Sequence, residues 1–302
     1  MKNRSVVAWV HAARPRTLPL AFSSTLMGSF VAWNDHKFKW PVFVLALTTT
    51  LFLQVLSNLA NDYGDTVNGA DNHQRVGPAR SVQSGAISLK NMKIAVIIVS
   101  ILALLSGIAL IGMGVGFYPS VDWLMFLVLG IAALISAIVY TAGSRPYGYK
   151  GLGDLFVFLF FGLTGVVGTY YLHTGYIPPS SWLPAASVGL LSTAVLNVNN
   201  MRDVKGDTSS GKRTLVVAMG SRWAHKYHAF LVIGALVALM VYTLLRYKHA
   251  GQFIYLVMVF YFGKHLNVVF NNTEPAALDP QLRILAIGTF FTVLFFGFSL
   301  ML

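Results

Sequence analysis

No cysteine occurs among the 302 residues, which excludes disulfides, thiolate nucleophiles and cysteine-ligated zinc or iron–sulfur clusters. Acid is almost as scarce: ten Asp and Glu face 22 Lys and Arg, and charged residues of both signs make up only 11% of the chain. Apolar residues reach 56%, a balance that excludes a water-soluble globule of this size. What remains is an all-α, polytopic membrane protein, because a helix satisfies its own backbone hydrogen bonds in hydrocarbon.

A helix needs roughly 20 mostly apolar residues to cross the hydrocarbon. Nine stretches qualify: 17–34, 41–60, 94–116, 123–143, 155–172, 182–200, 229–245, 250–270 and 284–302. Residues 155–201 carry no Asp, Glu, Lys or Arg, but His173 to Ser180 reads HTGYIPPS, and its Gly and two Pro mark a turn that divides the run. Basic residues are retained on the cytoplasmic side. With nine crossings and a cytoplasmic N-terminus, 18 of the 22 Lys and Arg fall inside, leaving Lys37, Lys39, Arg246 and Lys248 outside. Eight of the ten acids share the inner face, Asp35 and Asp122 being the exceptions. Ahead of the first span, VVAWVHAA is short and is followed by Arg14, Pro15 and Arg16, not by a small-residue cleavage site. It reads as an interfacial segment leading into a retained helix.

The net charge of +12 is spread over loops between the spans, as the topology rule requires, so no nucleic-acid partner is expected. The bilayer is the expected partner, and the sequence says nothing of oligomeric state.

Five of the ten acids sit in two short segments, NDYGDTVNGAD with Asp62, Asp65 and Asp71, and NNMRDVKGD with Asp203 and Asp207. Each segment ends a long uncharged run. Asn58, Asp62 and Asp65 are echoed by Asn199, Asp203 and Asp207, 141 residues on from Asn58 to Asn199. The echo suggests two related halves, roughly 17–143 and 155–302, within one membrane domain. On a helix, residues four apart share a face with Cβ atoms about 5–6 Å apart, so Asn58 with Asp62, and Asp203 with Asp207, present oxygens to one side. Magnesium takes such oxygens together with water and substrate phosphates.

Each acidic segment then turns basic: Arg75 to Arg80 reads RVGPAR and Ser209 to Thr214 reads SSGKRT. Arg75, Arg80, Arg202, Lys212 and Arg213 are therefore candidates to grip a diphosphate. The combination suits departure of diphosphate from an allylic substrate in a cavity that excludes water. Tyr140, Tyr147, Tyr149, Tyr170 and Tyr171 are candidates to stabilise the cation left behind with their ring faces.

A single Asp at a helix end is more often a solvated cap. Five in two matching clusters at the border of a membrane core reverse that balance. Asp154, alone in GLGD at the start of the fifth span, suits equally a structural cap favoured by the helix dipole and an active-site acid. His225 and His228 lack a neighbouring acid, which favours interfacial or hydrogen-bonded roles over a metal site. Gly162, Gly165 and Gly168 suit close helix packing.

These segments resemble the UbiA superfamily of intramembrane prenyltransferases, which have nine helices and two aspartate-rich motifs. The likeness runs through RPRTLP (14–19), NLANDYGDTVNGAD (58–71), RPYGYKGLGD (145–154), GTYY (168–171) and NVNNMRDVKGDTSSGKRTLVV (197–217), covering nearly the whole chain. Asn61, Asp62 and Asp65 match the family's NDxxDxxxD, and Asp203 and Asp207 match its DxxxD. Position 69 is Gly where the first pattern has its last acid; Asp71 follows two residues later, as in the branch that acts on 1,4-dihydroxy-2-naphthoate.

The resemblance implies transfer of a polyprenyl group from polyprenyl diphosphate to that naphthoate, with loss of the ring carboxylate as CO2, in menaquinone synthesis. It implies a central cavity, two or more Mg2+ replaceable by Mn2+, and a bacterial cytoplasmic (inner) membrane with the site toward the cytoplasm. In that scheme Asn58, Asn61, Asp62, Asp65, Asp71, Asn199, Asp203 and Asp207 hold metal, and Asp62, Asp65, Asp154, Asp203 and Asp207 are catalytic. Arg75, Arg80, Arg202, Lys212 and Arg213 bind diphosphate. Arg14, Arg16, Arg145, Tyr147, Tyr149 and Lys150 face the aromatic acid.

Relatives acting on 4-hydroxybenzoate, haem or a chlorin share both motifs and stay open as alternatives. A CDP-alcohol phosphotransferase would carry DGxxAR, which is missing. An ion-coupled transporter would need acids deep in helices on both sides of the membrane.

Overall fold

Long apolar runs fold into helices, and polar residues and glycines set where they stop. The structure, a computed structural model, describes residues 2–69, 80–143 and 146–302, with side chains from Ser5 onward. Every regular element among the described residues is helical. Eight segments are long and apolar enough to cross a membrane: α3 (Trp40–Val67), α4 (Leu89–Val115), α5 (Val121–Val139), α6 (Gly153–Thr174), α7 (Pro179–Ser209), α9 (Ser221–Leu245), α10 (Ala250–Asn271) and α11 (Pro275–Met301). The expected first span is α2 (Leu18–Asn34), whose 17 residues stand at the short end of what a bilayer requires. Two shorter helices, α1 (Lys2–Ala13) and α8 (Leu215–Met219), complete the chain.

Local chemistry explains the boundaries. Ser88 and Ser120 accept the free N–H groups of Asn91 at 3.2 Å and Trp123 at 3.1 Å, capping α4 and α5. The HTGYIPPS turn behaves as expected: Gly175 takes φ +79°, stopping α6, and Pro179 opens α7.

One element differs from expectation. Phe158–Gly168 within α6 is a π-helix, a wider winding than an all-round apolar run can announce. Within it, a Cβ on Gly162 would lie 2.7 Å from the Cα of Gly189, so the backbones of α6 and α7 run in near contact there. Val157 and Phe161 of α6 line the central cavity.

Helix α7 is the hub, packed by α6, α9 and α11, while α2 pairs with α11 and α3 with α4. Exposed Ile97, Ile98, Ile101 and Leu105 on α4 form an apolar outer face. Both acidic motifs end their helices, on α3 and α7. At the far end of the bundle Arg246 pairs with Asp35, Tyr170 donates to Asp35 at 2.7 Å, and Lys248 donates to Asn34 at 2.9 Å.

Gly162→Val should overpack the α6–α7 crossing and cost about 1–3 kcal/mol. Thermal unfolding in detergent should show the lowered midpoint, and a midpoint equal to that of the parent protein would refute the crossing as drawn.

Candidate active site

The first motif is aimed by a glycine. A Cβ on Gly64 would lie 2.6 Å from the carbonyl carbon of Thr141, so only glycine lets α3 press against the end of α5. Thr141 then donates its hydroxyl to Asn61 Oδ1 at 3.0 Å, and Asn68 donates to the Thr141 carbonyl at 2.7 Å. With the last turns of α3 pinned, Asp62 and Asp65 face inward and are buried. Asp62 accepts the backbone N–H of Ser81 at 3.1 Å and of Val82 at 3.4 Å. Asp65 pairs with Arg80 at 2.9 Å and accepts the Tyr149 hydroxyl at 3.0 Å.

The second motif lies on α7. Arg202 grips Asp203 with two parallel hydrogen bonds, Nε to Oδ1 at 2.8 Å and Nη2 to Oδ2 at 2.6 Å. Lys212 Nζ lies 3.6 Å from Asp207 Oδ1 and 5.4 Å above the Tyr149 ring. Tyr149 therefore touches both motifs, its hydroxyl on Asp65 and its ring beneath the cation that serves Asp207.

The two motifs open onto one cavity of about 1330 Å3. Its polar end carries Asn61, Asp62, Asp65, Asn199, Asp203 and Asp207, with Arg14, Arg16, Arg80, Lys212 and Arg283 among them. From Asp203 the α7 wall runs through Leu196 and Val195 to Ser192, eleven positions and so about 16 Å deeper. Val157, Phe161 and Ile287 continue that apolar wall. Charge sits at one end and hydrocarbon at the other.

Several expected residues stand elsewhere. Asn58 is turned from the cavity: its amide donates to the Ala13 carbonyl at 2.9 Å and the Thr17 hydroxyl at 3.0 Å, because the end of α1 needs a donor. Arg202, expected on diphosphate, does line the cavity, and there it directs its donors to Asp203, to Asn199 at 3.0 Å and to Asp279 at 2.6 Å. Asp154 is buried behind the cavity wall in the first turn of α6, where its carbonyl accepts from Thr193 at 3.4 Å. Tyr147 stacks on Phe156 at 4.2 Å and donates to the Ser136 carbonyl at 3.0 Å, and burial, then the neighbouring Tyr140, holds its phenol above the ordinary range.

Lys150 and Arg213 are exposed and off the cavity, Arg213 offering only its backbone N–H to the Tyr149 carbonyl at 3.0 Å. Of the five tyrosines, Tyr140 lines the cavity, whereas Tyr170 belongs to the far end and Tyr171 packs on Phe126 at 5.3 Å. His228 does form a hydrogen bond, but with His265 at 2.8 Å and not with His225. Asp71, Arg75 and Arg145 lie outside the described residues. The sequence reading missed Asp279, Arg283 and Tyr261, all on the cavity. Asp279 precedes Pro280 at a helix start, where an acid reads as an ordinary cap.

The donor set suits a hard divalent cation. Among the described residues no three acids or imidazoles converge as a ready-made cluster, and Arg80, Arg202 and Lys212 pair with the carboxylates. All donors are nonetheless oxygens from two facing helices, and Asp207 Oδ2 is buried with no hydrogen-bond partner. Such oxygens fit magnesium.

Arg80→Ala would leave Asp65 buried beside a phenol without its cation, and breaking such a pair costs about 3–5 kcal/mol. Unfolding in detergent should show this loss, and Arg80→Ala/Asp65→Asn should recover part of it; a double variant no more stable than the single would refute the pairing.

The UbiA prenyltransferase family profile matches residues 21–284. The chain is 43% identical over 295 residues to a 1,4-dihydroxy-2-naphthoate octaprenyltransferase of Escherichia coli (strain K12), covering 98% of this chain and 95% of that protein. It is 40% identical to a protein of the same name from Haemophilus influenzae, covering 100% and 98%. A UbiA homologue from Archaeoglobus fulgidus, solved with GPP and Mg2+, shares the fold at a TM-score of 0.68 and 17% identity, covering 97% and 99%. Family profile, motif positions and fold agree, and the chain belongs to the UbiA prenyltransferase family.

Proposed function

We propose that this protein transfers a polyprenyl group from polyprenyl diphosphate to 1,4-dihydroxy-2-naphthoate, releasing diphosphate and CO2 and giving demethylmenaquinone in its reduced form. One observation carries the reading: a single cavity has both aspartate motifs at its polar end and an apolar wall below them. A polyprenyl diphosphate is divided in the same way. The names of the Escherichia coli and Haemophilus influenzae relatives support the acceptor.

Magnesium, present in the Archaeoglobus fulgidus relative, would be held here by Asp62, Asp65, Asp203 and Asp207, with Asn61 and Asn199 beside them. When bound, it neutralises charge on the departing diphosphate. Arg80 and Lys212 stand close enough to share their donors between the motif acids and phosphate oxygens. Val157, Phe161 and Leu196 exclude water from the carbon that loses its leaving group. The Tyr140 ring on the same cavity offers a face to positive charge there. Arg14 and Arg16 on the cavity suit the carboxylate of the aromatic acid.

Breaking the ring–carboxylate bond leaves its electron pair on the ring, which gains the prenyl carbon. Summed over reactants and products, no proton is released. The reading therefore requires no general base with a net proton to carry away.

The distribution of Lys and Arg supports nine crossings, with α2 as the first, a cytoplasmic N-terminus and the cavity mouth toward the cytoplasm of a bacterial inner membrane. The matching positions of the motifs, each ending a long helix, support two related halves.

Membranes carrying the protein should prenylate 1,4-dihydroxy-2-naphthoate and not 4-hydroxybenzoate when both are assayed side by side. Absence of product from the naphthoate would end the acceptor assignment. Chelation should abolish turnover and added Mg2+ restore it. Asp62→Ala and Asp203→Ala should each lower turnover by at least about a hundredfold while the protein stays inserted; near-normal turnover in both would end the metal assignment.

A further inference from the structure

Arg202 holds more acid than the second motif contains. Its guanidinium is only 4% exposed and spans two carboxylates, Asp203 on α7 and Asp279 at the start of α11, each at 2.6 Å. Such a group stays charged under all ordinary conditions and, once buried, needs a counter-charge. Were Asp203 its only carboxylate, the bidentate grip on both Asp203 oxygens would be its sole source of compensation. Those are the oxygens that the proposed function asks to face a divalent cation.

Asp279 supplies the alternative. Its side chain is 42% exposed, and it stands in the first α-helical turn of α11, where the helix dipole favours negative charge. The same turn is tied down from behind. Two residues on, Gln281 accepts at Oε1 from His265 Nδ1 at 2.7 Å, and His265 Nε2 meets His228 Nε2 at 2.8 Å. With His265 donating from Nδ1, its Nε2 accepts and His228 donates, so a buried chain of hydrogen bonds links α9, α10 and the start of α11. Asp279 is thus presented to Arg202 from a fixed turn.

We propose that Asp279 is a positioning residue for the second aspartate motif: it takes the charge of Arg202 so that the Asp203 oxygens are released to a divalent cation. This rests on the proposed metal-dependent prenyl transfer. It assigns to the last helix a part in a site that both recognised motifs leave to α3 and α7.

The test uses the full chain in detergent, with Mg2+ titrated against the unfolding temperature without substrate, and separately against turnover. Asp279→Asn should raise the half-saturating Mg2+ about tenfold in both titrations, as expected for loss of a group supporting a metal ligand. The KM for the aromatic acid should stay unchanged, which a merely disordered cavity would not allow. Asp279→Glu should restore much of the Mg2+ response. Because Asp279 acts through Arg202, Arg202→Gln/Asp279→Asn should respond to Mg2+ as Arg202→Gln does. An unaltered Mg2+ dependence in Asp279→Asn, or a further loss in the double variant, would overturn the inference. Parent protein whose unfolding ignored Mg2+ while it still turned over would overturn the metal reading itself, and this inference with it.

Discussion

Charge at the border of a hydrocarbon core has to be compensated, and that constraint shapes the whole cavity. Asp62 takes two backbone N–H groups, Asp65 takes Arg80 and Tyr149, Asp203 takes Arg202, and Asp207 faces Lys212. The pairings of Asp62, Asp65 and Asp207 each draw a loop against α3 or α7, and Arg202 reaches on from Asp203 to Asp279 of α11. The acids that suit metal chemistry also close the polar end of the bundle, so binding and architecture share the same side chains.

Close backbone contact makes this geometry available. Gly64 lets α3 meet Thr141, and Gly162 lets α6 meet Gly189. In a membrane, where lipid is as apolar as the helices themselves, such approaches supply much of the association between helices. The π-helical stretch Phe158–Gly168 contains one of these approaches, at Gly162.

Much of this is legible in the sequence, and the reasons for the rest are physical. Uninterrupted apolar runs announce the long helices, and HTGYIPPS announces its turn, because length and breakers are local properties. The aspartate spacing puts Asp62, Asp65, Asp203 and Asp207 together, since acids bordering an apolar core are costly to keep without a charged partner or ligand. Helical spacing suggests that Asn58 shares their face, and the structure adds what spacing does not show, a bond from its amide N–H to the Ala13 carbonyl. Arg202 reads as a phosphate ligand because its neighbour in sequence, Asp203, reads as a metal ligand and not as a partner for a guanidinium. Asp279 lies 76 residues beyond Asp203, and no local pattern marks it. The winding of α6 stays hidden because a run apolar on all sides has no phase to read.

Tyr149 carries a consequence of its own. It belongs neither to α3 nor to α7, yet its hydroxyl meets Asp65 and its ring lies beneath Lys212, the cation that faces Asp207. A short connector between α5 and α6 thereby ties the end of α3 to the segment that follows α7. A chimaera exchanging one half of the chain for that of a distant relative would have to inherit this connector along with whichever acids it was matched to.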